Sequence, residues 1–198
     1  KVIHADIDPA EIGKNRVADV PIVGDAREVL QALSDSMRNN GLKGPNTSAW
    51  LDYLGKLIED FPRGYTEQPN DKLAPQFVIE TLSRVVGPDA IYVAGVGQHQ
   101  MWVAQHMRFT SPRNHLSSAG LGTMGFGLPA GIGAKLADPS ATVVTIAGDG
   151  GFMMNIQELA TLKRYGVPLK IVLIDNSSLG LVRQWQELTY ESRYSESY

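Results

Sequence analysis

Apolar residues fall along this chain in two rhythms, and their alternation lays out the elements. From Leu73 onward, short unbroken apolar runs alternate with stretches of helical spacing. Ile91-Tyr92-Val93-Ala94, Thr142 to Ala147 and Lys170 to Ile174 are runs without period-two polarity, which predicts strands buried on both faces. Pro75 to Val86, Gln100 to Met107, a Gly-rich turn with a helix ending at Ala137, and Phe152 to Tyr165 read as helices. The last carries Ile156, Leu159, Ala160 and Leu162 at helical intervals. Strand alternating with helix predicts an α/β fold, a parallel sheet flanked by helices.

The pattern upstream is less regular. Val2-Ile3 with Ile7, and Val20 to Asp25, read as two short strands, and Ala26 to Met37 as a helix with Val29, Leu30 and Leu33 on one face. Arg38 to Asn46 is rich in breakers. Thr47 or Ser48 is placed to cap a helix carrying Trp50, Leu51, Leu54, Leu57 and Ile58 that ends near Phe61-Pro62. A polar connection with Pro69 and Asn70 follows, and the domain boundary is expected there. The expected organisation is residues 1–38 as the end of one α/β domain, 39–70 as a linker, and 71–198 as a second domain.

Composition narrows the function classes. With 198 residues and 43% hydrophobic content the chain can bury a core, and 18 basic against 21 acidic residues, net charge -3, make no field of one sign. Neither nucleic acid nor a membrane is an expected partner. No stretch is long and apolar enough to span a bilayer, and Lys1-Val2-Ile3-His4 lacks the layout of a signal peptide. The absence of cysteine excludes disulfides and Cys metal sites, and fits a reducing compartment. Because the chain opens directly in an apolar run, we expect a piece of a longer protein.

The candidate chemistry lies where the strands end. Val143 to Ala147 runs into Gly148-Asp149-Gly150, and Leu169 to Ile174 runs into Asn176, so a carboxylate and an amide oxygen leave two strands of one βαβ unit. In parallel sheets ligands sit outside the carboxyl ends of strands, and two such oxygens suit Mg²⁺, which fills its octahedron with ligand phosphates and water. Alone, Gly-Asp-Gly is equally a common turn. Gly95-Val96-Gly97-Gln98-His99 follows the first strand and opens a helix, whose free N–H groups attract phosphate; a His there could also simply pack or cap. Gly120 to Gly127 holds four glycines, which let backbone approach a flat ligand or, alternatively, a packed helix. Gly131 and Gly133 suggest the helix reading as well.

Taken together, Gln98-His99, Gly120-Leu121-Gly122-Thr123-Met124-Gly125-Phe126-Gly127-Leu128-Pro129, the Gly-Asp-Gly with its distant Asn, Leu179-Gly180-Leu181-Val182-Arg183-Gln184-Trp185 and the N-terminal His4 to Lys14 resemble the acetohydroxyacid (acetolactate) synthase catalytic subunits, a thiamine diphosphate-dependent family. The resemblance implies the end of a central FAD-associated α/β domain followed by a diphosphate-binding domain truncated at its C-terminus. It implies that Gln98 and His99 hydrogen-bond the diphosphate. The turn Gly122-Thr123-Met124 would hold the aminopyrimidine, with the Met124 side chain wedged beneath the coenzyme. Asp149, Asn176 and the Ser178 carbonyl would bind Mg²⁺, with Asp175 standing where many relatives have Asn. Gly150 and Gly151 would touch phosphate through backbone N–H, and Leu179, Gly180 and Leu181 would lie beside the coenzyme. Trp185 would shape the acceptor site. Asp6-Ile7 and Asp25-Ala26 match positions lining the FAD site, although acidic turn residues explain them equally well.

The activity so implied is condensation of pyruvate with a second 2-ketoacid, pyruvate or 2-ketobutyrate, with loss of CO2. The resemblance further implies a homodimer or larger assembly with the active site at the interface, a small regulatory subunit as a further partner, and a location in the cytoplasm of a bacterium or an organelle of a eukaryote. The catalytic Glu of the family belongs to an N-terminal pyrimidine-binding domain that no segment here matches. Alternatives are a glyoxylate carboligase or pyruvate oxidase relative, or a non-catalytic coenzyme-binding or dimerisation module. A nicotinamide-binding Rossmann protein is disfavoured, since no G-x-G-x-x-G follows the first strand of a βαβ unit.

Overall fold

The computed structural model describes residues 1–66, 68 and 72–198. These form two compact units, Lys1–Phe61 and Pro62–Tyr198. The boundary expected near Pro69 and Asn70 lies outside the described residues.

In the first unit β1 (Ile3–Asp6) and β2 (Val20–Val23) pair in parallel, and α1 (Ala26–Asn39) follows directly. Asp25 caps α1, its side chain accepting from the Arg27 and Glu28 amides; an N-cap carboxylate satisfies otherwise unpaired first-turn donors. The helix α2 (Ser48–Asp60) spans the expected apolar stretch. Thr47 is its N-cap by position but makes no side-chain capping bond. The Asn46 side chain accepts from the Ser48 amide at 3.0 Å, an Asx turn that satisfies one of the unpaired donors of the first turn.

The second unit is a four-stranded parallel sheet in the order β4-β3-β5-β6, comprising β3 (Ile91–Ala94), β4 (His115–Ser117), β5 (Val143–Gly148) and β6 (Lys170–Ile174). Helices α3 (Pro75–Val86), α4 (Gln98–His106) and α5 (Gly127–Ala137) connect and flank the strands. The central strands β3 and β5 are almost wholly buried, as their unbroken apolar runs require, whereas β6 at the sheet edge leaves Leu173 46% exposed. The core gathers Ile79 of α3, Val103 of α4, and Tyr92, Val144 and Ile146 of the sheet. Tyr92 is fully buried, and its hydroxyl donates to the Gly87 carbonyl at 2.6 Å, so the one polar atom it brings inside is satisfied.

Two elements differ from the pattern reading. The strand β4 is absent from it because three residues are too short to show a period. The helix expected over Phe152 to Tyr165 is broken into α6 (Asp149–Met153), a 3₁₀ turn (Ile156–Glu158) and α7 (Leu159–Tyr165). The break falls at Asn155, whose side-chain amide donates to the Gly125 carbonyl at 2.9 Å and so ties the segment to the Gly-rich turn. That tie outweighs the local helical spacing, and Ile156 and Leu159 are left exposed within this chain. Of the two glycines thought to mark close helix packing, Gly131 does so: a Cβ there would meet the Thr145 hydroxyl of β5. Gly133 faces open space.

Candidate coenzyme site

A crevice opens beyond the carboxyl ends of β3, β5 and β6, with a volume of ≈ 90 Å³. The parallel register pairs Gly148 with Ile174, so Asp149 and Asn176 leave neighbouring strands almost level with one another. Both line the crevice, as do Gln98, His99, Met124, Gly150, Gly151, Ser178, Leu179, Gly180 and Leu181. Gly122 and Thr123 lie outside the lining, in a turn where the Gly122 amide donates to the Ser118 carbonyl and the Thr123 amide to the Ser118 hydroxyl. Trp185 is also outside it and 58% exposed, on α8 (Gly180–Thr189). It follows Leu181 and Val182 by four and three positions, so it shares their side of the helix. Asp6, Ile7, Asp25 and Ala26 belong to the first unit. There the ends of β1 and β2 lie side by side, with the Gly24 amide donating to the Asp6 carbonyl, while the Asp25 carboxylate is engaged at its cap.

Three helices, α4, α6 and α8, begin at this crevice, and none has a side chain capping its first turn. Their starts therefore border one space, with first-turn N–H groups of α4 and α6 unpaired while the Gly180 amide of α8 donates to the Ser178 carbonyl, an arrangement that favours an anion. Asp149 supplies a counter-charge for a cation beside it. Asn176 is held by a loop of overlapping turns: the Asp175 carboxylate accepts from the Ser177 amide at 2.9 Å, and the Asn176 side-chain oxygen accepts from the Ser178 amide at 3.2 Å. These bonds hold Ser177 at φ 54, in the left-handed region that costs a β-substituted residue free energy. The Ser178 carbonyl accepts from the Gly180 amide at 2.8 Å and retains a second lone pair.

His99 is buried, with its Nε2 accepting from the Gly148 amide at 3.2 Å. Burial pushes its pKa down to about 4, and a hydrogen bond with the Gly95 backbone opposes this more weakly. Neutral His99 thus ties the start of α4 to the end of β5. Because the folded pKa lies below the unfolded value of 6.5, protons bind the unfolded chain first as pH falls. Stability should be complete above pH 6.5 and decline toward pH 4, by as much as about 3 kcal/mol from this group alone. Denaturant unfolding of the metal-free protein across that range should show a shallower decline in His99→Gln; parallel curves would exclude His99 as the source.

The motifs did not single out Trp102, Val96, Ile174 and Val182, which also line the crevice, or Gln184, whose side chain bonds to Gln98. Trp102 lies one helical turn after Gln98 on α4, and that spacing was the available signal. Among the described residues no cluster of three or more His, Cys, Asp or Glu could hold a metal. A cation here would therefore rely on a single carboxylate, with neutral oxygens and a phosphate-bearing ligand completing its shell.

Comparison with known families decides the wider assignment. Residues 95–198 match the thiamine pyrophosphate enzyme C-terminal TPP binding domain, and residues 1–33 match the thiamine pyrophosphate enzyme central domain. The chain belongs to the thiamine pyrophosphate enzyme family. The acetolactate synthase large subunit of Corynebacterium glutamicum is 59% identical over 197 residues, 100% of this chain and 32% of that protein. The isozyme 2 large subunit of acetolactate synthase from Escherichia coli is 47% identical over 99% of the chain and 34% of its own length. Acetolactate synthase 1, chloroplastic, of Oryza sativa is 44% identical over 100% of the chain and 31% of its own length. The chain thus spans about a third of the length of these relatives. The crevice between the three uncapped helices lies within the matched C-terminal domain, which supports thiamine diphosphate as the ligand.

Proposed function

We propose that this chain is part of an acetolactate synthase large subunit, and that its crevice holds the Mg²⁺-diphosphate end of thiamine diphosphate. The observation that carries the reading is the meeting of one carboxylate, Asp149, and one amide oxygen, Asn176, with three uncapped helix N-termini. Hard oxygen donors with a single charge fit Mg²⁺, and converging N–H groups fit the diphosphate. Gly150 and Gly151 line the crevice where their amides can donate to phosphate oxygens, Gln98 gives one Nε2 hydrogen to Gln184 and keeps the second for phosphate, and the Ser178 carbonyl is the third protein ligand. His99 joins them through the family resemblance, its Nε2 being engaged with Gly148.

Thiamine diphosphate, when bound, supplies an electron sink for the carbon that loses CO2. The chain's residues position it. Met124 reaches toward the crevice opposite Gly150, where its flexible thioether can support a flat ring from below. Leu179, Leu181 and Val182 form an apolar wall on one side. The volume of ≈ 90 Å³ is far below that of pockets enclosing a whole ligand, about 300 to 1,000 Å³. The rest of the coenzyme would meet other surfaces, in keeping with a dimer whose partner, with its Glu, completes the site. The substrates would be pyruvate and 2-ketobutyrate, with FAD near Asp6-Ile7 and Asp25-Ala26 and a small regulatory subunit as a further partner. Among the described residues no helix is long and apolar enough to cross a membrane. A bacterial cytoplasm or a plastid is the setting this reading favours.

Trp185 tests the acceptor assignment. In the full-length enzyme supplied with both ketoacids, Trp185→Leu should retain thiamine diphosphate binding yet change the ratio of 2-aceto-2-hydroxybutyrate to acetolactate several-fold, because an aromatic ring on α8 meets acceptor and not phosphate. An unchanged ratio would remove Trp185 from the substrate pocket. Absence of both products, with tartronate semialdehyde formed from glyoxylate or acetate from pyruvate, would favour a relative with different chemistry.

A further inference from the structure

Three side-chain amides run in series from α8 to the Asn176 loop. Gln98 Nε2 donates to Gln184 Oε1 at 3.0 Å, and Asn176 Nδ2 donates to Gln98 Oε1 at 3.3 Å. A side-chain amide has a donor end and an acceptor end, so orientation passes along such a series. With an acceptor at Gln184, the Gln98 NH2 turns toward α8 and its oxygen turns toward Asn176. That oxygen claims the Asn176 NH2 and leaves Oδ1 facing away. The Ser178 amide, donating to the same Oδ1, favours the same orientation.

The series also explains a small residue at the start of α8. A Cβ on Gly180 would strike both Gln98 Oε1 and Asn176 Nδ2. The helix that carries Gln184 therefore leaves open, one turn earlier, the gap in which the other two amides meet.

We propose that Gln184 is a positioning residue for the cation site: acting through Gln98, it keeps the Asn176 carbonyl oxygen, and not its NH2, presented toward the metal at Asp149. The inference rests on the Mg²⁺ reading above. A flipped Asn176 would face the cation with two amide hydrogens, which bear partial positive charge. Outer-shell partners that orient metal ligands are commonly worth 10- to 100-fold in affinity; with Ser178 sharing the task, the lower end, roughly tenfold, is expected.

Calorimetric titration of the full-length enzyme with Mg²⁺, in the presence of thiamine diphosphate, reads the effect directly. Gln184→Met matches the side chain in length but offers Gln98 no strong acceptor, and Mg²⁺ binding should weaken roughly tenfold. Gln184→Glu keeps an acceptor and should bind within about twofold of the wild type at salt high enough to screen its added charge. In an Asn176→Asp background the carboxylate presents oxygen whichever way it turns, so Gln184→Met should cost nothing further. Equal losses in both backgrounds would mean that Gln184 acts through general packing, and no loss in either would mean that it does not act on the metal; either result overturns the proposal. Unchanged Mg²⁺ affinity in Asp149→Asn would remove the metal reading itself, and the inference with it.

Discussion

Asp149→Asn should weaken Mg²⁺-dependent binding of thiamine diphosphate by about 100-fold or more, nearly 3 kcal/mol. Among the described residues Asp149 is the one carboxylate lining the crevice, and its replacement leaves a hard divalent cation with neutral protein oxygens only. A similar loss would not result from Asp175→Asn. That carboxylate is engaged with the Ser177 amide and hydroxyl in the adjacent turn and is absent from the crevice lining. Calorimetry with saturating Mg²⁺ separates the two: equal affinity in wild type and Asp149→Asn would count against the site. Melting curves should stay close to wild type for Asp149→Asn, because among the described residues no side-chain hydrogen bond depends on that carboxylate.

The 198 residues alone should form no acetolactate from pyruvate, even with Mg²⁺ and thiamine diphosphate supplied. On the proposed reading the small crevice takes only the diphosphate end of the coenzyme, and the chain spans only 32% of the Corynebacterium relative. General acid-base help of the kind implied for the family's Glu is worth about 10²- to 10⁴-fold, and correct orientation of the reacting groups adds to that. Activity should return when the polypeptide is extended to full length or mixed with the missing region. Steady acetoin colour from the purified 198 residues, in a preparation free of host enzyme, would show that they hold a complete active site.

How much was readable in the chain depended on the range of the interactions involved. Strands β3 and β6 and helix α3 match the apolar pattern to the residue, because period and run length are local properties. The Gly-Asp-Gly and Asn pair were readable for a related reason: strands of a parallel sheet all deliver their next residues to the same edge. The break at Asn155 was not, since it is made by a bond to Gly125, 30 residues away. Gln184 was visible only as part of a motif. Its bond to Gln98 spans 86 positions, and nothing in either segment announces it.

The sequence by itself determined the α/β alternation, the kinds of donor at the strand ends and the family resemblance, because each is written in spacing or in residue type. Only the tertiary structure decided which donors meet. It brought Asp149, Asn176 and three uncapped helix starts to one crevice, left Gly122, Thr123 and Trp185 outside its lining, and engaged His99 with Gly148. The physical reason is directional: a hydrogen bond or a cavity wall depends on how two distant backbones are aimed at each other, and that is set by the packing of helices on the sheet.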